Sequence, residues 1–321
     1  MKKIWLLFAA ALSALSMTSV VLGQTKDFPN RAGKIIVPFT AGSGSDTAAR
    51  FFGDQLSNSL GQTYVVENRP GGSGTISVMT VKNAPADGYS ILLASNSPMS
   101  VNPVVVKDLP YDPTKDLKPL YGLTRGMSGF VVPADSRLKT LADLVTAAKN
   151  STQPMSAGTY SEGYRLALEW FASIAGVKFT NIPYKGGAQL FTDIMGNQLE
   201  WGIADMGGIA PLLGSGKIRV LAVSGEMRHA NFPDVPTIRE SGYPDYVNYT
   251  WTSFYVRSET PDAVSNKLTD ALQKILTTDA AKEFARKTWT ELMPLPPAAM
   301  RKFQGEEMDR FRRIAEAGGQ K

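Results

Sequence analysis

Two short stretches of this sequence carry the residue types needed to grip an anion. Residues 41–46 read AGSGSD and residues 157–162 read AGTYSE, so both fit A-G-[Ser/Thr]-x-Ser-[Asp/Glu]. Each precedes a helical pattern, and the first follows the apolar run KIIVPF. A helix N-terminus presents unpaired backbone N–H groups and a partial positive charge. Glycine lets the backbone approach a ligand closely, and Ser/Thr hydroxyls add donors. Ser43 with Asp46, or Ser45 alone, is placed to cap the first helix, and Ser161 the second. One such loop is equally well an ordinary capped helix after a strand. Two matching loops favour two halves of one anion site. On that reading Gly42→Val or Gly158→Val should weaken binding more than Ser43→Ala or Thr159→Ala. Asp46 and Glu162 fall in first helical turns, where they complement the dipole. Either one, turned toward a ligand, would repel a carboxylate unless it held water or an amine.

Other chemistries find little support. The chain has no cysteine, which removes disulfides, thiolate metal sites and cysteine nucleophiles together. Its one histidine, His229, lies in the loop-like stretch MRHANFPDVP, so a multi-histidine metal site is excluded. No G-x-S-x-G elbow supplies a serine for it to activate. AGSGSDT misses the dinucleotide fingerprint at Thr47, and GSGKI at 214–218 has Pro211 and Ile218 where a P-loop needs Gly and Ser/Thr. RPGGSGT reads as a turn. No cofactor, no metal and no catalytic residue are expected.

These loops need elements to hold them. In 321 residues, 43% hydrophobic and 20% charged, there is room for two packed units. KIIVPF, TYVVEN and SILLAS read as strands, with helices at 46–60, closed by Gly61, and in the stretch ending at Ala84. Residues 103–119, with Pro98 just upstream, read as an extended proline-rich connector. A second unit opens at GFVVPADS. Its strands are MSAG, KFTNIPY, LEWGIAD and IRVLAVS, and its helices lie near 140–149, 162–175, 187–196 and 208–214. After the turn-rich NFPDVPTIRESGYPDY comes a strand TWTSFYV, then helix over 261–290 and from Pro297 to Ala317. The alternation predicts an α/β fold of two lobes, each a mostly parallel sheet flanked by helices, with a cleft between them. Lobe 1 is assigned residues 24–125 and 249–321, and lobe 2 residues 126–248.

The first residues, MKKIWLLFAAALSALSMTSVVLGQ, pair two lysines with a short apolar run and a small-residue site, which predicts a secretory leader over 1–23 cleaved after Gly23. Export to the periplasm is expected. Removing Lys2 and Lys3 with the leader takes the formal charge from +5 to +3. Lys and Arg are interleaved with Asp and Glu, so nucleic acid is not an expected partner.

The segments IIVPFTAGSGSDTAAR, VVENRPGGSGTI, PADGYSILLAS, NPVVVKDLPYDPTKDLKPL, IPYKGGAQLFTDIMGNQLEWGIAD, GKIRVLAVS and FPDVPTIRESGYP follow one another in this chain. In that order they resemble the Bug family, the periplasmic solute-binding receptors of the tripartite tricarboxylate transporter type. The resemblance covers nearly all of the chain after the leader. It implies a type II periplasmic-binding-protein (Venus-flytrap) fold. It also implies capture of a small organic carboxylate by backbone N–H groups and ordered water, and delivery to membrane transporter subunits. A monomer is expected. Carried onto this sequence, the ligand-binding positions are Phe39, Thr40, Gly42, Ser43, Gly44 and Asp46 in the first loop, with Gly158, Thr159, Tyr160 and Ser161 in the second. Asn96 and Asp205 stand at strand ends near the cleft. The chain departs from the pattern at Tyr160, often a small residue, and at Tyr164, often histidine; both are kept as binding positions facing the ligand's distal group. Two other functions remain beside uptake: a periplasmic sensor using the same cleft, and a secreted hydrolase, which would need catalytic groups the sequence lacks.

Overall fold

The computed structural model describes residues 28–317, so the leader predicted over 1–23 lies outside the described residues. The first unit runs β1 Gly33–Val37, α1 Gly44–Leu60, β2 Tyr64–Asn68, α2 Thr75–Lys82 and β3 Ser90–Ser95. β1 pairs in parallel with both β2 and β3. α1 buries Ala49, Phe52 and Leu56, one face at helical spacing. It stops at Gly61, whose left-handed φ of 69° lets its N–H cap Ser57.

The expected connector is partly helical. Ser97–Val101 forms a π-helical turn and Asn102–Val105 forms α3, each with a proline at its first or second position. A proline there loses only an N–H that had no intrahelical acceptor. The strand placed at Gly129 begins twelve residues earlier, at Leu117. β4 Leu117–Pro133 is one long strand whose polar residues Thr124, Arg125 and Ser128, with Gly122 and Gly126 among them, mask its pattern.

The second unit follows as α4 Leu141–Asn150, β5 Met155–Thr159, α5 Glu162–Ala175, β6 Phe179–Pro183, α6 Gly187–Met195, β7 Trp201–Asp205, α7 Met206–Leu213 and β8 Ile218–Val223. β5 pairs in parallel with β6 and β7. β9 Tyr249–Arg257 then returns, followed by α8 Asp262–Leu276, α9 Asp279–Thr288, β10 Glu291–Leu292 and α10 Pro297–Ala317.

The strand order is β2-β1-β3-β9-β4-β7-β5-β6, with β8 and β10 also on β4. Each unit therefore has a parallel three-stranded core, and β4 and β9 run antiparallel between them, making the sheets mixed. Leu117–Met127 of β4 pairs with β9, and Ser128–Pro133 pairs with β7 and β8. One core cluster, including Phe130, Phe171, Leu190 and Trp201, lies on the β5–β8 side. Two others, one around Phe52 and Leu268 and one around Trp251 and Met300, cover the two faces of the β1–β3 side. β4 and β9 are thus two side-by-side crossings between separately packed bodies, the geometry of a hinge.

Candidate ligand-binding site

The C-terminal ends of β1, β5 and β7 converge on a cleft beside β4 and β9. Its volume, counting the mouth open to solvent, is about 640 Å³. Its walls include Phe39, Ser43, Gly44, Asn96, Tyr160, Ser161, Tyr164 and Asp205 from the predicted set. Thr40, Gly42, Asp46, Gly158 and Thr159 are not on these walls.

Local geometry explains the division. Gly42 has φ of 82° and sends its N–H to Asp46 Oδ2 at 3.0 Å. Ser43 caps α1 by accepting from the Asp46 N–H at 3.2 Å. Asp46 is buried against its own lobe, accepting from Asn68 Nδ2 at 2.9 Å and from Arg50 Nε at 3.1 Å. Its charge is therefore turned away from the cleft. Thr40 meets the opposite lobe instead, so closely that a Cβ on Gly186 would lie 1.9 Å from its Oγ1. Gly158 is inside the sheet, against Leu199, Leu190 and Tyr184. Thr159 Oγ1 donates to Asn181 Oδ1 at 2.6 Å.

The two matching loops differ in what their helices offer. At α1, the Gly44 and Ser45 N–H groups have no acceptor among the described residues, and both residues line the cleft. At α5, the first N–H groups are already engaged. Glu162 N–H reaches Ser73 Oγ at 3.1 Å, Gly163 N–H reaches Ser97 Oγ at 2.7 Å and Tyr164 N–H reaches Ser161 Oγ at 3.4 Å. Ser73 and Ser97 belong to the first unit, so this end of α5 fastens the lobes together. Glu162 pairs with Arg165 at 2.5 Å.

A third strand-to-helix turn takes the place opposite α1. Asp205 ends β7 and caps α7, its Oδ1 accepting from the Gly208 N–H at 2.7 Å. The Met206 and Gly207 N–H groups have no acceptor among the described residues, and Gly207 lines the cleft. Gly207 stands so near α1 that a Cβ on it would be 3.6 Å from Gly44 Cα. The free donors of α1 and α7 thus face one another. The sequence marks this turn only by the Asp205 cap before Gly207 and Gly208.

The Tyr160 hydroxyl donates to Asp205 Oδ2, and Tyr164 OH lies 3.3 Å from Tyr160 OH. Phe39 meets the Tyr160 ring edge-on at 5.6 Å. Burial first, then the nearby Asp205 carboxylate, hold both phenols well above the usual tyrosine range, so both remain protonated donors. The floor is a set of hydroxyls from the hinge strands, the end of α9 and the chain just after it, which the sequence reading did not single out. Thr124 Oγ1 lies 2.7 Å from Thr252 Oγ1, and Thr288 Oγ1 lies 3.0 Å from Thr290 Oγ1. The alternation Thr250–Trp251–Thr252 carries the signal, since strand period puts the threonines on one face. His229 is elsewhere, against Phe232 and Trp289, and burial lowers its pKa. Among the described residues no group of three His, Cys, Asp or Glu could hold a metal ion, and no helix is long and apolar enough to cross a membrane.

Two α/β bodies on paired hinge strands, closed over a cleft where helix N-termini meet, define a two-lobed solute-binding protein. The chain belongs to the tripartite tricarboxylate transporter receptor family, whose model matches residues 48–319. It is 39% identical over 236 residues to a UPF0065 protein of Bordetella bronchiseptica, covering 74% of this chain and 70% of the relative. Among solved structures, Rpa4515 of R. palustris, determined with adipate, superposes with a TM-score of 0.88 at 29% identity over 91% of this chain and 99% of that one. The periplasmic binding protein BugD does so with a TM-score of 0.87 at 27% identity, covering the same shares of each chain. The two-lobed α/β fold and the Bug-type resemblance read from the sequence agree with these findings.

Proposed function

We propose that this chain is an exported receptor that captures a small organic carboxylate in the cleft and hands it to membrane subunits of a tripartite tricarboxylate-type transporter, without chemical conversion. Residues 24–125 and 249–321 act as one lobe of a monomer and residues 126–248 as the other, with the leader removed after Gly23. The observation that carries this reading is the pair of facing helix N-termini. The free N–H groups of Gly44 and Ser45 on α1 and of Gly207 on α7 border one cleft. Backbone donors at helix N-termini suit an anion without any Lys or Arg, and none lines this cleft. Ser43, Asn96 and Ser161 add polar contacts, and Phe39 and Tyr160 pack against the ligand's body. The Rpa4515 structure with adipate supports a carboxylate as the ligand class here.

Thermal unfolding against a panel of carboxylates tests the reading. A ligand at about 100 times its Kd adds about 2.7 kcal/mol of stability, a shift of several degrees. The same ligand should be recovered unchanged by mass spectrometry after prolonged incubation. No shift with any carboxylate, or turnover proportional to protein, would sink the proposal. The leader is tested separately: intact mass of protein from the periplasm should correspond to a chain starting at Gln24, and a membrane-retained chain starting at Met1 would contradict it.

A further inference from the structure

The cleft contains a carboxylate of its own. Among its lining residues Asp205 is the only acid, and apart from the two tyrosines no other side chain there titrates. It lies directly beside the proposed anion position, because a Cβ on Gly44 would come 2.1 Å from Asp205 Oδ1. A plain carboxylate docked on the Gly44 and Ser45 N–H groups would therefore sit next to a like charge. At an effective dielectric near 20, two unit charges about 5 Å apart disfavour each other on the order of 100-fold. A site built this way is satisfied by a ligand that brings a donor to Asp205.

Asp205 has capacity for that donor. A carboxylate offers about four lone-pair positions; the Gly208 N–H and the Tyr160 hydroxyl take two and the nearby Tyr164 hydroxyl competes for a third, which leaves one. The rest of the cleft is also rich in acceptors. Thr250 Oγ1 donates to Gly126 O at 3.2 Å, which leaves its lone pairs for a partner. Ser95 Oγ, in a residue only 5% exposed on the same wall, has no partner among the described residues. The cleft volume of about 640 Å³, which counts its open mouth, suits a small ligand.

We propose that the receptor selects short carboxylates whose carbon next to the carboxyl group carries a hydrogen-bond donor, a hydroxyl or an ammonium, and that Asp205 is the residue that reads this donor. The inference rests on the receptor reading above. The ligand carboxylate lies on the N–H groups of α1, its 2-substituent meets Asp205 beside Tyr160, and the remainder points to the threonine floor.

Matched ligand sets test this by calorimetry on the mature protein: propanoate, lactate and alanine, and separately succinate, malate and aspartate. Within each set only the 2-substituent changes. A hydrogen bond to a charged acceptor predicts that a 2-hydroxy or 2-amino member binds roughly 10- to 100-fold tighter than the unsubstituted acid. The comparison of hydroxyl with ammonium shows which donor is read. Asp205→Asn keeps an oxygen for the α7 cap but replaces the other oxygen, which accepts from Tyr160 and has a lone pair to spare, with an amide donor. It should bring the ratio to within about threefold of unity. Equal affinity of the parent protein for substituted and unsubstituted acids overturns the inference, and that comparison needs no variant. A preference that survives in folded Asp205→Asn also overturns it. Binding of no carboxylate at all would instead overturn the receptor reading and this inference with it.

Discussion

Gly44→Ala is expected to abolish ligand-driven closure while leaving the protein folded. Gly44 opens α1 with ordinary helical backbone, so a methyl group there introduces no strain in its own lobe. Replacing glycine at such a position stabilises a fold by about 0.4–1 kcal/mol through the unfolded chain. The obstacle lies across the cleft. The new Cβ would stand 2.1 Å from Asp205 Oδ1 and 2.9 Å from its Cγ. Asp205 cannot yield easily, because the Gly208 N–H and the Tyr160 hydroxyl fix it. The lobes must stop short, and a ligand then reaches the donors of α1 or those of α7 but not both. Losing hydrogen bonds from one side, each worth about 1.5–3 kcal/mol to a charged group, predicts at least a 100-fold loss of affinity. Solution scattering should show that saturating ligand shrinks the radius of gyration of the parent protein and leaves that of Gly44→Ala unchanged. A variant that contracts and binds like the parent would show that Gly44 and Asp205 do not meet in the bound state.

How much of this was legible in the sequence depended on the range of the interactions involved. α1 could be read almost to the residue, since its apolar spacing, Ser43 cap and Gly61 stop are all local. The start of α10 at Pro297 was legible for a similar reason, a proline at the first helical position. β4 was not, because its middle serves as both hinge and cleft floor, and Thr124, Gly126 and Ser128 answer to those duties instead of a strand pattern. The matching loops pointed to stretches that border the cleft and hid a difference between them. The serines that occupy the α5 N–H groups lie 89 and 66 residues upstream, and no local motif announces such a pairing. Asp205 was found as a strand end near the cleft. Its position against Gly44 depends on how two lobes meet, which spacing along the chain does not encode.

Gly158→Val separates the two loops by experiment. From sequence, this glycine is a point of close backbone approach to the ligand, and valine there should weaken binding. In the structure Gly158 lies within β5, paired with Ile182 and Gly202. A Cβ on it would meet Leu199 Cδ2 at 2.4 Å, Leu190 Cδ1 at 3.1 Å and Tyr184 Cε2 at 3.2 Å. Leu199 and Leu190 are buried in the lobe-2 core, so the added volume cannot escape to solvent. Over-packing of this kind costs about 1–3 kcal/mol, occasionally more. Contacts on three sides place Gly158→Val near or above 3 kcal/mol. The urea midpoint should fall accordingly with an unchanged slope, while ligand affinity measured on the folded protein stays within a few-fold of the parent. Gly44→Ala should show the reverse, with its midpoint kept and its affinity lost. If Gly158→Val holds its midpoint and loses binding, the β5 loop touches the ligand directly, and the assignment of the second set of anion donors to α7 is wrong.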